Sequence, residues 1–441
     1  MSKKHFLKGT FILTCAGLLT RLIGFFYRIF LSHTIGAQGV GIYQLLMPVQ
    51  GLVMAVTTTG IQTAISRLAA SELALGKQKE ARDTFSIGTF SAFLLSVTAA
   101  FLLYSHADFF AVQILKEPRT MPLIKLLSFS FPLSTIHTCI NSFSFAQQKT
   151  GMPSFIQLLE QLVRVGVTYL LYLIFLSEAR EITPVIALGG TLAGECAATL
   201  VSLLCIGRNF QVQHYTPFQI RQPLRGLKKV FQMSFPLMLN RVLLTLLGSI
   251  EVVLIPQRLR MYGLNSEDAL SIYGIFTGMA MPLILFPSTI TNSASMMLMP
   301  SIAEFQALGH KKRIRYVTSL ASRYCLLLGI GCCALFFFFG RTIGMILFKS
   351  PTAGNYIHIL AFICPFLYLN TTLSSILNGL GKPGTCLIHN AVGISIRITF
   401  VLFAIPNFGI RGYLYGILLG ETVLAALHLK ALWLIERSTA E

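Results

Sequence analysis

Charge is what this sequence has least of. Asp, Glu, Lys and Arg make up 12% of its 441 residues, against about 25% in a soluble globular domain, and that shortage excludes one. Acidic residues are scarcer still, 16 against 35 Lys and Arg. The nine cysteines, an odd number, show neither a paired CxxC nor Cys/His spacing, which argues against a zinc-type site. GKPGT at 381–385 lacks the spacing of a phosphate-binding P-loop, and no nucleophile triad or metal-binding carboxylate cluster is present. Catalysis and ATP drive therefore have no basis. The protein is expected not to be an enzyme, and to need no metal or cofactor beyond a coupling ion, Na+ or H+. The first apolar block is long, contains arginines and lacks a small-x-small cleavage site, so it is expected to stay as a helix rather than leave as a signal peptide.

Hydrocarbon is what the chain does have. It is 54% hydrophobic, with a mean hydropathy of +0.70. The apolar residues come in a dozen blocks long enough to cross a hydrocarbon core of about 30 Å as helices and too long for barrel strands. The expected fold is an all-α polytopic membrane protein with twelve transmembrane helices, near 9–32, 40–66, 85–105, 123–146, 154–176, 184–206, 231–255, 271–299, 318–340, 356–378, 385–405 and 413–435. The net charge of +19 would suit nucleic acid if it formed one solvated patch. It sorts by loop instead: the N-terminus and every second loop hold 21 Lys and Arg, the opposite loops eight. That bias sets both termini in the cytoplasm and argues against a nucleic-acid partner.

The chain also repeats itself. Shifted by 233 residues, 127–164 aligns with 360–397 at eight identities in 38 positions, among them Pro132 with Pro365, Lys149 with Lys382 and Arg164 with Arg397. LAGE at 192–195 answers LLGE at 418–421, and Leu7, Lys8, Phe11 and Arg21 answer Leu227, Lys228, Phe231 and Arg241. One six-helix unit is used twice: an N-terminal lobe, 1–206, a cytoplasmic linker, 207–230, and a C-terminal lobe, 231–441. Six is even, so the copies are expected to share a pseudo-two-fold axis along the membrane normal, with a substrate path between them. Prolines within the spans, such as Pro48, Pro132, Pro287 and Pro365, mark kinks or hinges.

An arginine at the bilayer centre costs roughly 2.5–3.5 kcal/mol on insertion scales, so each needs a partner or water. Arg164 and Arg397 occupy equivalent sites in the fifth helix of each half, and Glu195 and Glu421 in the sixth. Intralobe pairs Arg164–Glu195 and Arg397–Glu421 would neutralise them, and Glu160 also reaches Arg164 at i,i+4. Arg21, Arg28 and Arg241 are then left with only Glu251, either as charge partner or as a coupling-ion site. Arg21 and Arg241 are repeat-equivalent and would face each other across the axis. Arg28 lies seven residues beyond Arg21, on the same helical face. Guanidinium groups grip phosphate oxygens bidentately, so the three point to an anionic, phosphate-bearing substrate; the competing use is snorkelling to headgroups. Amides such as Gln62, Asn141 and Asn370 serve either sugars or neighbouring helices.

The runs TRLIGFFYRIFLSHTIGAQGVGIYQLLMPV at 20–49 and TTTGIQTAISRLAA at 57–70 resemble the opening of the stage V sporulation protein B and polysaccharide-biosynthesis exporters. These belong to the multidrug/oligosaccharidyl-lipid/polysaccharide superfamily, which also holds the lipid II flippases. The resemblance implies a MATE-like fold in the bacterial cytoplasmic membrane. It implies flipping of an undecaprenyl-pyrophosphate-linked sugar or peptidoglycan precursor by alternating access. It also implies a monomer among membrane lipids, working with cell-wall synthesis proteins. In the lipid II flippases first-helix arginines contact the pyrophosphate, and Arg21 matches the first of these positions. Arg28 stands seven residues on, where those flippases place their second arginine six on, and their acidic residue after the first helix has no match here. A multidrug exporter of the same superfamily is the alternative. It moves organic cations and would need acidic cavity residues, whereas the surplus here is basic. A membrane glycosyltransferase or polymerase would need surface carboxylates and large loops; the loops here are short.

Overall fold

The structure is a computed structural model that describes residues 3–212 and 223–438. Among the described residues all regular structure is helical, with no strand. Eleven helices are long and apolar enough to cross a membrane, and a bent pair makes the twelfth. In chain order they are α1 (Lys3–Thr34), α2 (Gly36–Ala74), α3 (Gln78–Ser105), α4 (Pro118–Ser128 with Ser130–Ala146, bent by 43°), α5 (Gly151–Ser177) and α6 (Val185–Val212). There follow α7 (Pro223–Met261), α8 (Ser266–Leu285, continued as Ser288–Ala307), α9 (Lys311–Phe348), α10 (Pro351–Gly379), α11 (Pro383–Phe403) and α12 (Ile410–Ser438). The all-α, twelve-span class read from the hydropathy blocks is the class found. Helices α6 and α7 run into the expected 207–230 linker from both sides, and its residues 213–222 lie outside the described ones.

Local sequence explains the ends and bends. Ser350 caps α10, its Oγ accepting from Ala353 N at 3.2 Å, with Pro351 in the first turn, where no donor is lost. Gly381, at φ +70°, turns the chain out of α10, and Pro383 opens α11. Among the span prolines, Pro48 follows a break in α2, Pro287 sits in the gap of α8, and Pro132 lies just past the bend of α4. Two π-helical turns, Ala55–Thr59 in α2 and Ile275–Ala280 in α8, begin 220 residues apart, the same shift that relates Arg21 to Arg241. Such turns store a local departure from α geometry in a repeated place.

By contact the chain forms two compact units, residues 1–27 with 45–249 and residues 28–44 with 250–441. In the first, Val230 of α7 joins a core that includes Ile65, Phe85 and Phe143. The backbones there approach closely, since a Cβ on Gly60 would fall 2.7 Å from Ser234 O. Lys229 of α7 also ion-pairs with buried Glu72 of α2. In the second unit Ile302, Leu373, Ile376 and Leu432 form a core, and residues 28–44 dock on α8. A Cβ on Gly41 would lie 2.2 Å from Leu270 O, and one on Gly274 would lie 2.1 Å from Ala37 O. The contact units thus exchange 28–44 and the first part of α7 relative to the linear division at 206 and 231, which stays a reading of the repeat.

The Gly41 contact gives a physical reason for a glycine in the IGAQGVGIY run: only a residue without Cβ lets α2 and α8 touch backbone to backbone. Gly41→Val and Gly274→Val are each expected to cost about 1–3 kcal/mol through overpacking. Thermal unfolding in detergent checks this, with Gly331→Ala, which meets nothing within 4 Å, expected to show no loss.

Candidate functional site

Apolar helices carry the arginines singled out by the sequence. Arg21 on α1 and Arg241 near the middle of α7 are both exposed and belong to the first unit; Arg28, also exposed, belongs to the second. Among the described residues no carboxylate pairs with Arg28 or Arg241. Arg241 lies ten residues past Phe231, where the apolar block begins, about 15 Å along the helix and so about halfway through a hydrocarbon core of about 30 Å.

Glu251 does not serve these three. Its carboxylate accepts from Arg397 Nε at 2.8 Å and Nη2 at 3.2 Å, and from the Tyr413 hydroxyl at 2.7 Å. Arg397 also reaches Glu421 through Nη1 at 3.2 Å, so the expected Arg397–Glu421 contact is made and a second carboxylate joins it. Asn370 Nδ2 donates to the same Glu421 carboxylate at 2.8 Å. One guanidinium thereby ties α7, α11 and α12 within the second unit.

The expected Arg164–Glu195 pair is corrected. Arg164 turns to Glu160, four residues back on its own helix, and also donates to Gln161 Oε1 at 3.4 Å. Glu195 instead lies 2.7 Å from His137 Nε2 of α4. The repeat accounts for the difference. At the 233-residue shift Glu160 corresponds to Gly393, so Arg397 has no carboxylate on its own helix and must reach α7 and α12, whereas Arg164 has one i−4. His137 corresponds to Asn370, and each of these engages the glutamate of the sixth helix in its half. The fourth-to-sixth-helix clasp is repeated although its donor has changed from imidazole to amide. Sequence reading leaves His137 out and offers Asn370 only as an amide for sugars or neighbouring helices, without Glu421 as its partner, because the repeat is read from identities and these two positions differ.

Close helix approach sets these pairs in place. On α6 a Cβ on Gly190 would lie 2.0 Å from Thr168 Oγ1, and one on Gly194 would lie 2.8 Å from Glu160 O. On α12 a Cβ on Gly416 would lie 2.5 Å from Phe400 Cβ, and one on Gly420 would lie 3.2 Å from Gly393 O. Each half therefore has a GxxxG face that seats the sixth helix on the fifth. The glutamate that follows the second glycine, Glu195 or Glu421, is then buried in the helix packing of its half. The LAGE and LLGE strings are this device.

Beside the His137–Glu195 pair a polar cleft of about 470 Å³ opens within the first unit, lined by Gln62, Ser66, His137, Asn141, Gln157 and Glu160 among others. His137 Nδ1 and Asn141 Oδ1 are buried and make no hydrogen bond within the protein. Gln62 and Asn141 are two of the amides that sequence reading offers to sugars or helices; a third, Asn370, is committed to Glu421. The cleft thus presents amide, hydroxyl and carboxylate groups together, a set suited to a polyhydroxylated ligand.

Comparison with known proteins adds independent evidence. The family model for polysaccharide biosynthesis proteins matches residues 6–306, and that of the MatE family matches 236–403. The chain is 27% identical over 432 residues to stage V sporulation protein B of Bacillus subtilis, spanning 97% of this chain and 83% of that one. Its fold matches the Vibrio cholerae MATE transporter VcmN in the bent form, with a TM-score of 0.68 at 16% identity over 98% of each chain. It also matches lipid II flippase MurJ in an inward closed conformation, with a TM-score of 0.71 at 14% identity over 96% and 87% of the two chains.

Proposed function

The chain belongs to the polysaccharide biosynthesis protein family and is a multi-pass membrane transporter of the multidrug/oligosaccharidyl-lipid/polysaccharide superfamily, and from that premise we propose that it flips an undecaprenyl-pyrophosphate-linked sugar or peptidoglycan precursor across the bacterial cytoplasmic membrane by alternating access. The observation that carries this reading is the distribution of charge among the spans. Glu160, Glu195, Glu251 and Glu421 are engaged by Arg164, His137 and Arg397, and Glu72 by Lys229. No described carboxylate pairs with Arg28 or Arg241, and Arg21 stands exposed at the repeat-equivalent of Arg241. Fixed guanidinium groups on apolar helices favour a diphosphate and repel an organic cation.

In this mechanism the substrate enters from the cytoplasmic leaflet. Arg21 and Arg241 fork the diphosphate oxygens, and Arg28 adds a third positive charge. Amides of the first-unit cleft, Gln62 and Asn141, hydrogen-bond the sugar, while the polyprenyl tail stays in lipid. Access then alternates, and the head group leaves outward. Glu251 acts in this scheme as the charge partner of Arg397. The similarity to stage V sporulation protein B and the fold shared with a lipid II flippase support the assignment.

Proteoliposomes holding the full chain and a fluorescent polyprenyl-diphosphate sugar test it. Leaflet exchange, read as the fraction protected from an impermeant quencher, is expected to rise well above protein-free vesicles, while a lipophilic cation is not moved. Cation transport without sugar-lipid exchange would overturn the reading in favour of a multidrug exporter.

A further inference from the structure

Helix α9 is 38 residues long, about 57 Å, nearly twice the hydrocarbon thickness, so one of its ends must leave the apolar core. Its first turns, KKRIRYVTSLASRY, are the basic end, which the loop-charge bias assigns to the cytoplasm. A cleft of about 440 Å³ opens there between α9 and α12. From α9 it takes Arg315, Ser319, Ser322, Arg323 and Leu326, spaced i, i+4, i+7, i+8 and i+11, which is one helical face. From α12 it takes Leu429, Leu432 and Trp433, again one face. No carboxylate stands among its described lining residues.

The lining is sorted by depth. Arg315 is nearest the basic end, Arg323 lies eight residues deeper, about 12 Å, and Leu326 about 16 Å. On α12, which runs the opposite way toward the same side, Trp433 is shallower than Leu429. The cleft therefore has a mouth of guanidinium and hydroxyl donors, an indole at the level where tryptophan settles at membrane interfaces, and a leucine floor. A free anion would use the mouth and leave the leucine floor unused; a neutral lipid would use the floor and make no use of the Arg323 guanidinium above it.

We propose that this cleft is a binding site for an anionic glycerophospholipid of the cytoplasmic leaflet, its phosphate held by Arg315 and Arg323 and its acyl chain laid on Leu326 and Leu429. The site is separate from the diphosphate site above and does not depend on it. Basic pockets between transmembrane helices on that side hold anionic head groups by the same electrostatics.

The test uses the purified full chain, delipidated and titrated with phosphatidylglycerol or phosphatidylcholine, with bound lipid counted by native mass spectrometry. The wild type is expected to retain phosphatidylglycerol in preference to phosphatidylcholine. Arg315→Gln with Arg323→Gln is expected to weaken that retention by about tenfold or more, the scale of losing charge-assisted phosphate contacts. Lys311→Gln with Lys312→Gln removes equal charge from the same helix outside the cleft and is expected to leave retention unchanged. All four side chains are exposed, and unchanged unfolding temperatures would show that the variants fold. Equal loss in both double variants would overturn the proposal in favour of diffuse surface attraction. Displacement of phosphatidylglycerol by millimolar inorganic phosphate alone would overturn it in favour of a simple anion site.

Discussion

Replacing Arg21 or Arg241 with alanine is expected to abolish exchange of a polyprenyl-diphosphate sugar while leaving folded protein in the membrane. Each guanidinium is assigned charge-assisted hydrogen bonds to phosphate, worth about 1.5–3 kcal/mol apiece, or roughly ten- to hundredfold in affinity. In a partly desolvated site the loss is larger, because the same charges interact more strongly in low dielectric. Lysine at either position is expected to restore part of the binding, since an ammonium supplies the charge without the bidentate fork. The span carboxylates Glu160, Glu195, Glu251 and Glu421 are held by Arg164, His137 and Arg397, and alanine at position 241 orphans none of them. The unfolding temperature of Arg241→Ala is therefore expected to stay near wild type. Wild-type exchange by both variants would remove these residues from the mechanism.

Arg397→Ala is expected to do the opposite and fail as structure. Glu251 and Glu421 side chains are only 6% and 8% exposed, so the two carboxylates left behind cannot hydrate, and a broken buried pair costs about 3–5 kcal/mol. The expected readout is low yield of monodisperse protein and a much lower unfolding midpoint. Combining Arg397→Met with Glu251→Gln and Glu421→Gln removes the whole charge set and is expected to recover most of the loss, because a buried ion network replaced as a unit is often neutral. Full stability of the single Arg397→Ala variant would show that Glu251 and Glu421 do not depend on it.

These two outcomes separate a binding cation from a structural one, a distinction the sequence carries only in part. Hydropathy places the twelve spans because block length and helix rise leave little freedom. Repeat arithmetic places Arg397 beside Glu421 because both belong to matched positions. The same arithmetic misassigns Arg164, for Glu160 sits on the same helix without a counterpart at Gly393, and an intrahelical partner needs no packing to reach. Glu251 falls to the α1 and α7 arginines by elimination, once the other glutamates are paired, and elimination says nothing about the face of α7 it occupies; Arg397 and Tyr413 take it. The Gly41 and Gly274 contact, and the paired glycines of α6 and α12, are visible as letters but not as backbone approaches, since what excludes a Cβ is the neighbouring helix.

The most direct measurement is of the guanidinium groups themselves. With ¹⁵N-arginine protein in proteoliposomes and a polyprenyl-diphosphate sugar bound, ¹⁵N–³¹P dipolar recoupling reports which arginines touch phosphate, and single Arg→Lys variants assign the signals. Dephasing at hydrogen-bonding range is expected to fall in Arg21→Lys and in Arg241→Lys, each substitution removing its own arginine's share, to fall furthest in the double variant, and to be unchanged in Arg164→Lys. Dephasing undiminished by either of the first two substitutions, or none at all with substrate bound, would contradict the diphosphate site.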